Sequence, residues 1–244
     1  MRTETVDLRR ADERFASRTD GAETRHSFSF GEHYNPANVG FGALLVNNDD
    51  LVRAGTGYDD HPHRDAEIIT WVLSGSLVHQ DSRGHSGIVY PGLAQRMSAG
   101  SGIVHAERND AYRIDPTRAK QPAHFVQMWL QPDTPGGEPN YQQREVVLDD
   151  LGRDWIPVAS GRHPDAAVTL GSAESTLWVT RLAPGVARRL PAGPRLHVYL
   201  AAGEVEIASV GQLSAGDAAR LTGRSELLVT GVGAAELLVW ELAA

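Results

Sequence analysis

The sequence predicts an all-β protein made of two successive β-barrel or sandwich domains with few short helices. Three observations point there. The apolar stretches are short and β-branched, as in Ile68 to Leu73, Leu177 to Leu182 and Glu236 to Leu242, and Gly and Pro punctuate them. One segment reads as a linker: Gln131 to Asn140 holds three prolines and two glycines in ten residues, giving expected domains of 1–135 and 136–244. A weak repeat joins the halves, since Val198-Tyr-Leu-Ala-Ala-Gly203 mirrors Thr70-Trp-Val-Leu-Ser-Gly75 at a shift of 128, and Ser214-Ala-Gly216 mirrors Tyr90-Pro-Gly92.

In chain order, residues 1 to 25 are polar, with one edge strand expected around Thr5 to Leu8. The period of two in His26 to Phe30 predicts a half-buried strand, with Phe28 and Phe30 as core residues. Gly40 to Val46 predicts another strand, and Asn47-Asn-Asp-Asp50 a polar turn, because Asn and Asp favour turns. Arg113 to Gln121 reads as a loop and His124 to Leu130 as an apolar strand. Short strands follow at Val168 to Leu170, Leu177 to Leu182, Leu196 to Leu200, Val205 to Ala208, Glu226 to Val229 and Glu236 to Leu242.

Composition excludes several classes. With no cysteine, disulfides, iron–sulfur clusters and thiol nucleophiles are absent. A formal charge of -8 argues against a nucleic-acid footprint, which needs clustered positive charge. No run of about 18 apolar residues predicts a membrane helix, and the charged N-terminus lacks the order of a secretory signal. A cytoplasmic monomer is the expectation. There is no Gly-x-Ser-x-Gly elbow and no phosphate-cradling Gly-x4-Gly-Lys-Ser/Thr loop.

The chemistry concentrates between Gly55 and Asn109. In a strand, residues two apart share a face, so His61 and His63 look one way together, as do His105 and Glu107. If their strands lie side by side with those faces inward, three imidazoles and a carboxylate converge, a donor set for a first-row divalent metal. Spacing alone leaves open a closed tetrahedral zinc site or an octahedral metal with two free positions. His79, His85 and His124 read as satisfied or solvated histidines, and His163 and His197 are too isolated to build a site.

Gly55, His61-x-His63-x3-Glu67 and Gly75 resemble the first cupin motif, and Gly102-x2-His105-x3-Asn109 the second. Two departures stand out: Gly75 comes one residue late, and Gly100 replaces the usual proline. Both fit the pirin pattern, Asp60-His-Pro-His-Arg-x-x-Glu67 with Met97-Ser-Ala-Gly-x-Gly-Ile-x-His-x-Glu107. The resemblance extends to His26-Ser-Phe-Ser-Phe30, Gly40-Phe-Gly42, Trp129, Pro132 and Tyr141-Gln-Gln-Arg144. The chain is thus similar to the quercetinase-like bacterial pirins, which implies a bicupin fold.

The resemblance implies metal ligands His61, His63, His105 and Glu107, with Glu67 a supporting carboxylate. The repeat places Arg189, Pro191 and Arg195 opposite His61, His63 and Glu67, so the second cupin is expected to lack ligands. The implied metal is Fe(II), with Ni, Cu, Mn, Co and Zn as alternatives. The implied activity is quercetin 2,3-dioxygenase-like ring opening of a flavonol by dioxygen with release of carbon monoxide, Glu107 being the catalytic base for the 3-hydroxyl proton. The alternatives are an iron-dependent regulatory or redox-sensing module with a protein partner, and a structural zinc protein.

Overall fold

A computed structural model describes residues 4–223 and 226–244, whose strands form two seven-stranded and two four-stranded sheets. In the N-terminal half the larger sheet runs, edge to edge, Asn140–Glu145, Leu93–Ser98, Glu67–Ser74, Ala123–Leu130, Leu44–Val52, Ala22–His26, Phe15–Arg18. The smaller runs Gly57–His63, Ile103–Arg108, Leu77–Asp81, Ser86–Val89. The C-terminal half repeats the plan. Its larger sheet is Thr5–Arg9, Ala218–Thr222, Arg195–Ala202, Ala235–Leu242, Thr176–Leu182, Ile156–Ser160, Val168–Thr169, and its smaller one Ala187–Arg189, Leu228–Gly231, Glu204–Ile207, Gly211–Ser214. This is the all-β bicupin architecture, with two one-turn α-helices, Ala111–Ile114 and Leu148–Leu151, among the described residues.

The repeat has a structural basis. Glu67–Ser74 and Arg195–Ala202 are separated by the shift of 128, and each ends at a glycine in the left-handed region, Gly75 (φ 74°) and Gly203 (φ 81°). A Cβ at Gly75 would lie 2.5 Å from the Pro122 carbonyl oxygen, and one at Gly203 even closer to that of Ala234. Each glycine therefore lets the turn pass against the neighbouring strand.

Alternation explains where the core lies. In Glu67–Ser74, Ile68 and Val72 face the interior of the N-terminal sandwich, while Ile69 and Trp71 face the C-terminal half. In Ala123–Leu130, Val126 and Met128 join Ile69 and Trp71 in one apolar cluster with Leu177, Tyr199, Leu238 and Trp240. Both faces of these central strands are buried, which is why they read as continuous apolar runs. Polar handles cross the same interface: Trp71 Nε1 donates to Glu236 Oε1 at 2.7 Å, and the Arg220 guanidinium donates to the Ser27 carbonyl at 3.0 Å. Trp240→Ala should destabilise the protein by about 3–5 kcal/mol. Urea unfolding measures this, and a loss below about 1 kcal/mol would contradict a shared core.

Several expectations need correction. The expected units of 1–135 and 136–244 exchange edge strands: Thr5–Arg9 pairs with Ala218–Thr222, and Asn140–Glu145 pairs with Leu93–Ser98. Asn47 to Asp50 are not a turn but the middle of Leu44–Val52, and the strand expected from Gly40 begins at Leu44. Tertiary partners override the turn propensity. Asn47 Nδ2 donates to Ser27 Oγ, Asn48 Oδ1 meets His26 Nδ1, Asp49 accepts from Tyr199 and His124, and Asp50 accepts from Thr24 and Tyr58. The strand expected over His26 to Phe30 instead ends at His26, and the strands Ile156–Ser160, Ala187–Arg189, Gly211–Ser214 and Ala218–Thr222 were not anticipated.

Candidate metal site

Gly57–His63 and Ile103–Arg108 are antiparallel neighbours, with His105 opposite His61 and Ile103 opposite His63. The pairing is tight: a Cβ on Gly57 would fall 2.3 Å from the Glu107 carbonyl oxygen, so only glycine lets the strands approach there. Between the pairs His105–His61 and Glu107–Tyr58 the first strand, Gly57–His63, carries one extra residue, a bulge that bends it at the site. Ring centroids are 4.8 Å apart for His61–His63, 4.5 Å for His61–His105 and 4.8 Å for His63–His105. One donor atom from each of the three imidazoles lies within 4.8 Å of the other two, and a second such group joins His105, His79 and Glu107.

The donor chemistry fits a cation. His61 Nδ1 lies 2.7 Å from the Asp59 carbonyl, which fixes Nδ1 as the protonated nitrogen and leaves Nε2 as a lone-pair donor. His63 Nε2 and both His105 nitrogens are buried with no hydrogen-bond partner. Burial pushes the His63 imidazole down to about 4 and that of His105 to about 3, with the neighbouring imidazoles adding to the shift. These rings are therefore neutral, the form that binds metal. The buried His197 also lacks partners, but it stands beside Phe28 with no second imidazole.

Glu107 is oriented by Gln127 and Thr70, which the sequence did not single out, and through Gln127 by Trp129. Trp129 Nε1 donates to Gln127 Oε1 at 3.1 Å, which turns the Gln127 amide so that Nε2 donates to Glu107 Oε2 at 2.6 Å. Thr70 Oγ1 donates to Glu107 Oε1 at 3.4 Å. Gln127 pairs with Thr70 on one side and Asn48 on the other, and the row continues to Gln95 and His26. This polar floor crosses five strands. Its signal in sequence is a single polar residue at an inward position of an apolar strand, as in Ile68-Ile-Thr70-Trp-Val72.

The remaining candidates have partners of their own, and of these only His79 adjoins the site. Glu67 shares the outward face of Ile69 and Trp71 and accepts from the Gly171 amide at 3.0 Å, remote from the histidine group. His79 is fully buried between Asp81 (3.2 Å) and Gln95 (3.2 Å), and His85 bonds Asp81 at the surface. His124 bonds Asp49 at 2.8 Å, which raises its pKa. In the C-terminal half, Arg189 ends Ala187–Arg189, Pro191 follows it and Arg195 begins Arg195–Ala202.

A cavity of about 440 Å³ opens onto the site. His61, His63 and Glu107 line one end, and Phe30, Trp129, Tyr58 and Asp50 are among its other walls. Phe30 is thus a wall residue as well as a packing one, whereas Phe28 is core at 1% exposed.

The buried imidazoles make stability depend on pH. His63, His105 and His197, the last also lowered to about 3 by burial, have folded pKa values below the unfolded value near 6.5. Their neutral forms support folding above about 6.5, and that support is lost as pH falls toward 4 and 3. Asp50, raised to about 7 by burial, acts in the opposite sense, with one proton against three. The urea midpoint of metal-free protein should therefore drop between pH 7.5 and pH 5, and a constant midpoint would contradict these environments.

The pirin family model matches residues 8–130. A Mycobacterium tuberculosis protein named "Putative quercetin 2,3-dioxygenase" is 47% identical over 241 residues, covering 98% of this chain and 96% of its own. A pirin-like protein of Caulobacter vibrioides is 34% identical over 223 residues, covering 91% and 92%. The crystal structure of bacterial pirin YhhW from Escherichia coli in complex with nickel(II) superposes with a TM-score of 0.87 at 31% identity, covering 98% of this chain and 99% of that one. From the matched family, the full-length relatives and the shared fold, the chain belongs to the pirin family.

Proposed function

We propose that this protein is a metal-dependent dioxygenase that opens the central ring of a flavonol and releases carbon monoxide, in the manner of a quercetin 2,3-dioxygenase. The observation that carries the reading is a cluster of three imidazoles, two of which, His61 and His63, line with Glu107 a cavity of about 440 Å³, within the about 300–1,000 Å³ typical of small-molecule sites. The full-length relative named for this activity supports it. A divalent transition metal, Fe(II) first among the candidates, would be held by His61, His63, His105 and Glu107. When bound, it supplies Lewis acidity that lowers the pKa of the flavonol 3-hydroxyl.

The chain's own residues supply binding and proton transfer. Trp129 stands edge-on to His63 with centroids 4.7 Å apart, and Phe30 is 5.5 Å from Trp129, so a flat ring system entering the cavity meets an aromatic wall. Glu107 accepts the 3-hydroxyl proton at a carboxylate oxygen. The Gln127 amide holds that carboxylate before the proton arrives. The apolar walls exclude water from the electron-rich enolate that results.

Anaerobic loading with Fe(II), then air and a flavonol, should bleach the flavonol absorbance and release carbon monoxide. No turnover with Fe, Ni, Cu, Mn or Co would end this reading. Metal loading without turnover is the behaviour expected of a regulatory module.

A further inference from the structure

On the wall of the same cavity lies a polar group that the proposed chemistry does not use. Asp50 is 3% exposed yet lines the cavity. Its Oδ1 accepts from both Thr24 Oγ1 and Tyr58 OH, the latter at 2.6 Å, and those two hydroxyls are 3.0 Å apart. Both of these hydrogen bonds converge on Oδ1, which leaves Oδ2 available to a ligand. Tyr58 links this group to the metal end: its hydroxyl bonds Asp50, and its ring centroid is 6.5 Å from that of His61. All three residues lie on the cavity wall.

A carboxyl held here suits one kind of partner. A buried anion facing an apolar cavity is costly unless it is paired, and among the described residues no arginine or lysine lines this cavity. Burial instead raises the Asp50 carboxyl to about 7, with the Thr24 and Tyr58 hydroxyls opposing the shift. The group can therefore donate as well as accept near neutral pH. Its fit is to an uncharged hydroxyl on a flat ring, since a ligand lacking one would leave a buried polar atom unpaired.

We infer that Asp50, backed by Tyr58 and Thr24, is a specificity residue that binds an aromatic hydroxyl of a planar polyhydroxylated ligand, other than the hydroxyl held at the histidines. The substrate class is thereby narrowed to flavonols hydroxylated beyond the 3-position. This inference rests on the flavonol reading above, and its test separates the two.

Binding is read anaerobically, without turnover, through quenching of tryptophan fluorescence, Trp129 being in the cavity wall. The probes are 3-hydroxyflavone and quercetin, which carries further hydroxyls on its other rings. Wild-type protein should bind quercetin about tenfold more tightly, the worth of one well-made hydrogen bond. Asp50→Val should reduce that preference below about twofold while holding 3-hydroxyflavone within about threefold. Asp50→Asn, which keeps hydrogen-bonding capacity, should retain most of the preference. Tyr58→Phe should lower it in the same direction as the valine variant, and carries the test if Asp50→Val does not fold.

A loosened structure would weaken both probes alike, so the ratio reports recognition rather than stability. Wild-type protein that binds both probes equally, or neither, overturns the assignment, as does a full preference surviving in both Asp50→Val and Tyr58→Phe. Preference without turnover on any metal would sink the oxygenase reading and leave Asp50 assigned. Turnover without preference would do the reverse.

Discussion

His105→Ala is expected to remove bound metal and reduce flavonol turnover to background. His105 belongs to both groups of potential ligands, with His61 and His63 on one side and with His79 and Glu107 on the other. Its ring is 1% exposed, and neither nitrogen has another partner. Loss of residues that merely support a ligand typically lowers metal affinity about 10–100-fold, so loss of a central ligand should exceed about 100-fold. Elemental analysis after dialysis against a weak chelator reads the effect. The alanine also leaves a cavity, so circular dichroism must first show the native strand content. A folded variant that retains one equivalent of metal would remove His105 from the ligand set.

Glu107→Gln should separate metal binding from proton transfer. The amide keeps the size of the carboxylate and leaves the three imidazoles in place. Gln127 Nε2 still finds an oxygen to donate to, so the fold should persist. The lost function is the proton acceptor, and general-base groups contribute on the order of 10²–10⁴ in rate. Expressed per bound metal, kcat should fall by that factor while KM changes little, because the aromatic wall of Trp129 and Phe30 is untouched. A kcat per metal within about threefold of wild type would mean that another group takes the proton.

The part of the site readable from the sequence is the part built on strand alternation. His61 with His63, and His105 with Glu107, are i, i+2 pairs, and alternation alone gives each pair a common face. That the two strands are neighbours, with His105 opposite His61, is a long-range fact that spacing could only pose as a condition. The polar floor was hidden for the same reason. Thr70, Gln127 and Asn48 are each unremarkable in their own strand and become a row only when three strands pair.

Asn47 to Asp50 illustrate the opposite failure. Four consecutive Asn and Asp residues carry strong turn chemistry. Their partners, Ser27, His26, Tyr199, His124, Thr24 and Tyr58, come from as far as 150 residues away and hold the segment extended. The edge strand expected around Thr5 to Leu8 is present as Thr5–Arg9, but its exchange into the C-terminal sheet is hidden likewise, since its partner lies more than 200 residues on. By contrast, the repeat was legible at a shift of 128 because left-handed glycines at Gly75 and Gly203 are demanded by the backbone whatever surrounds them.

The most direct test is an anomalous-diffraction map of crystals grown from metal-loaded protein. One strong peak in contact with His61, His63, His105 and Glu107 is the expected result. A peak at another place in the molecule, or four side chains around no ion after every candidate metal has been offered, would contradict the account.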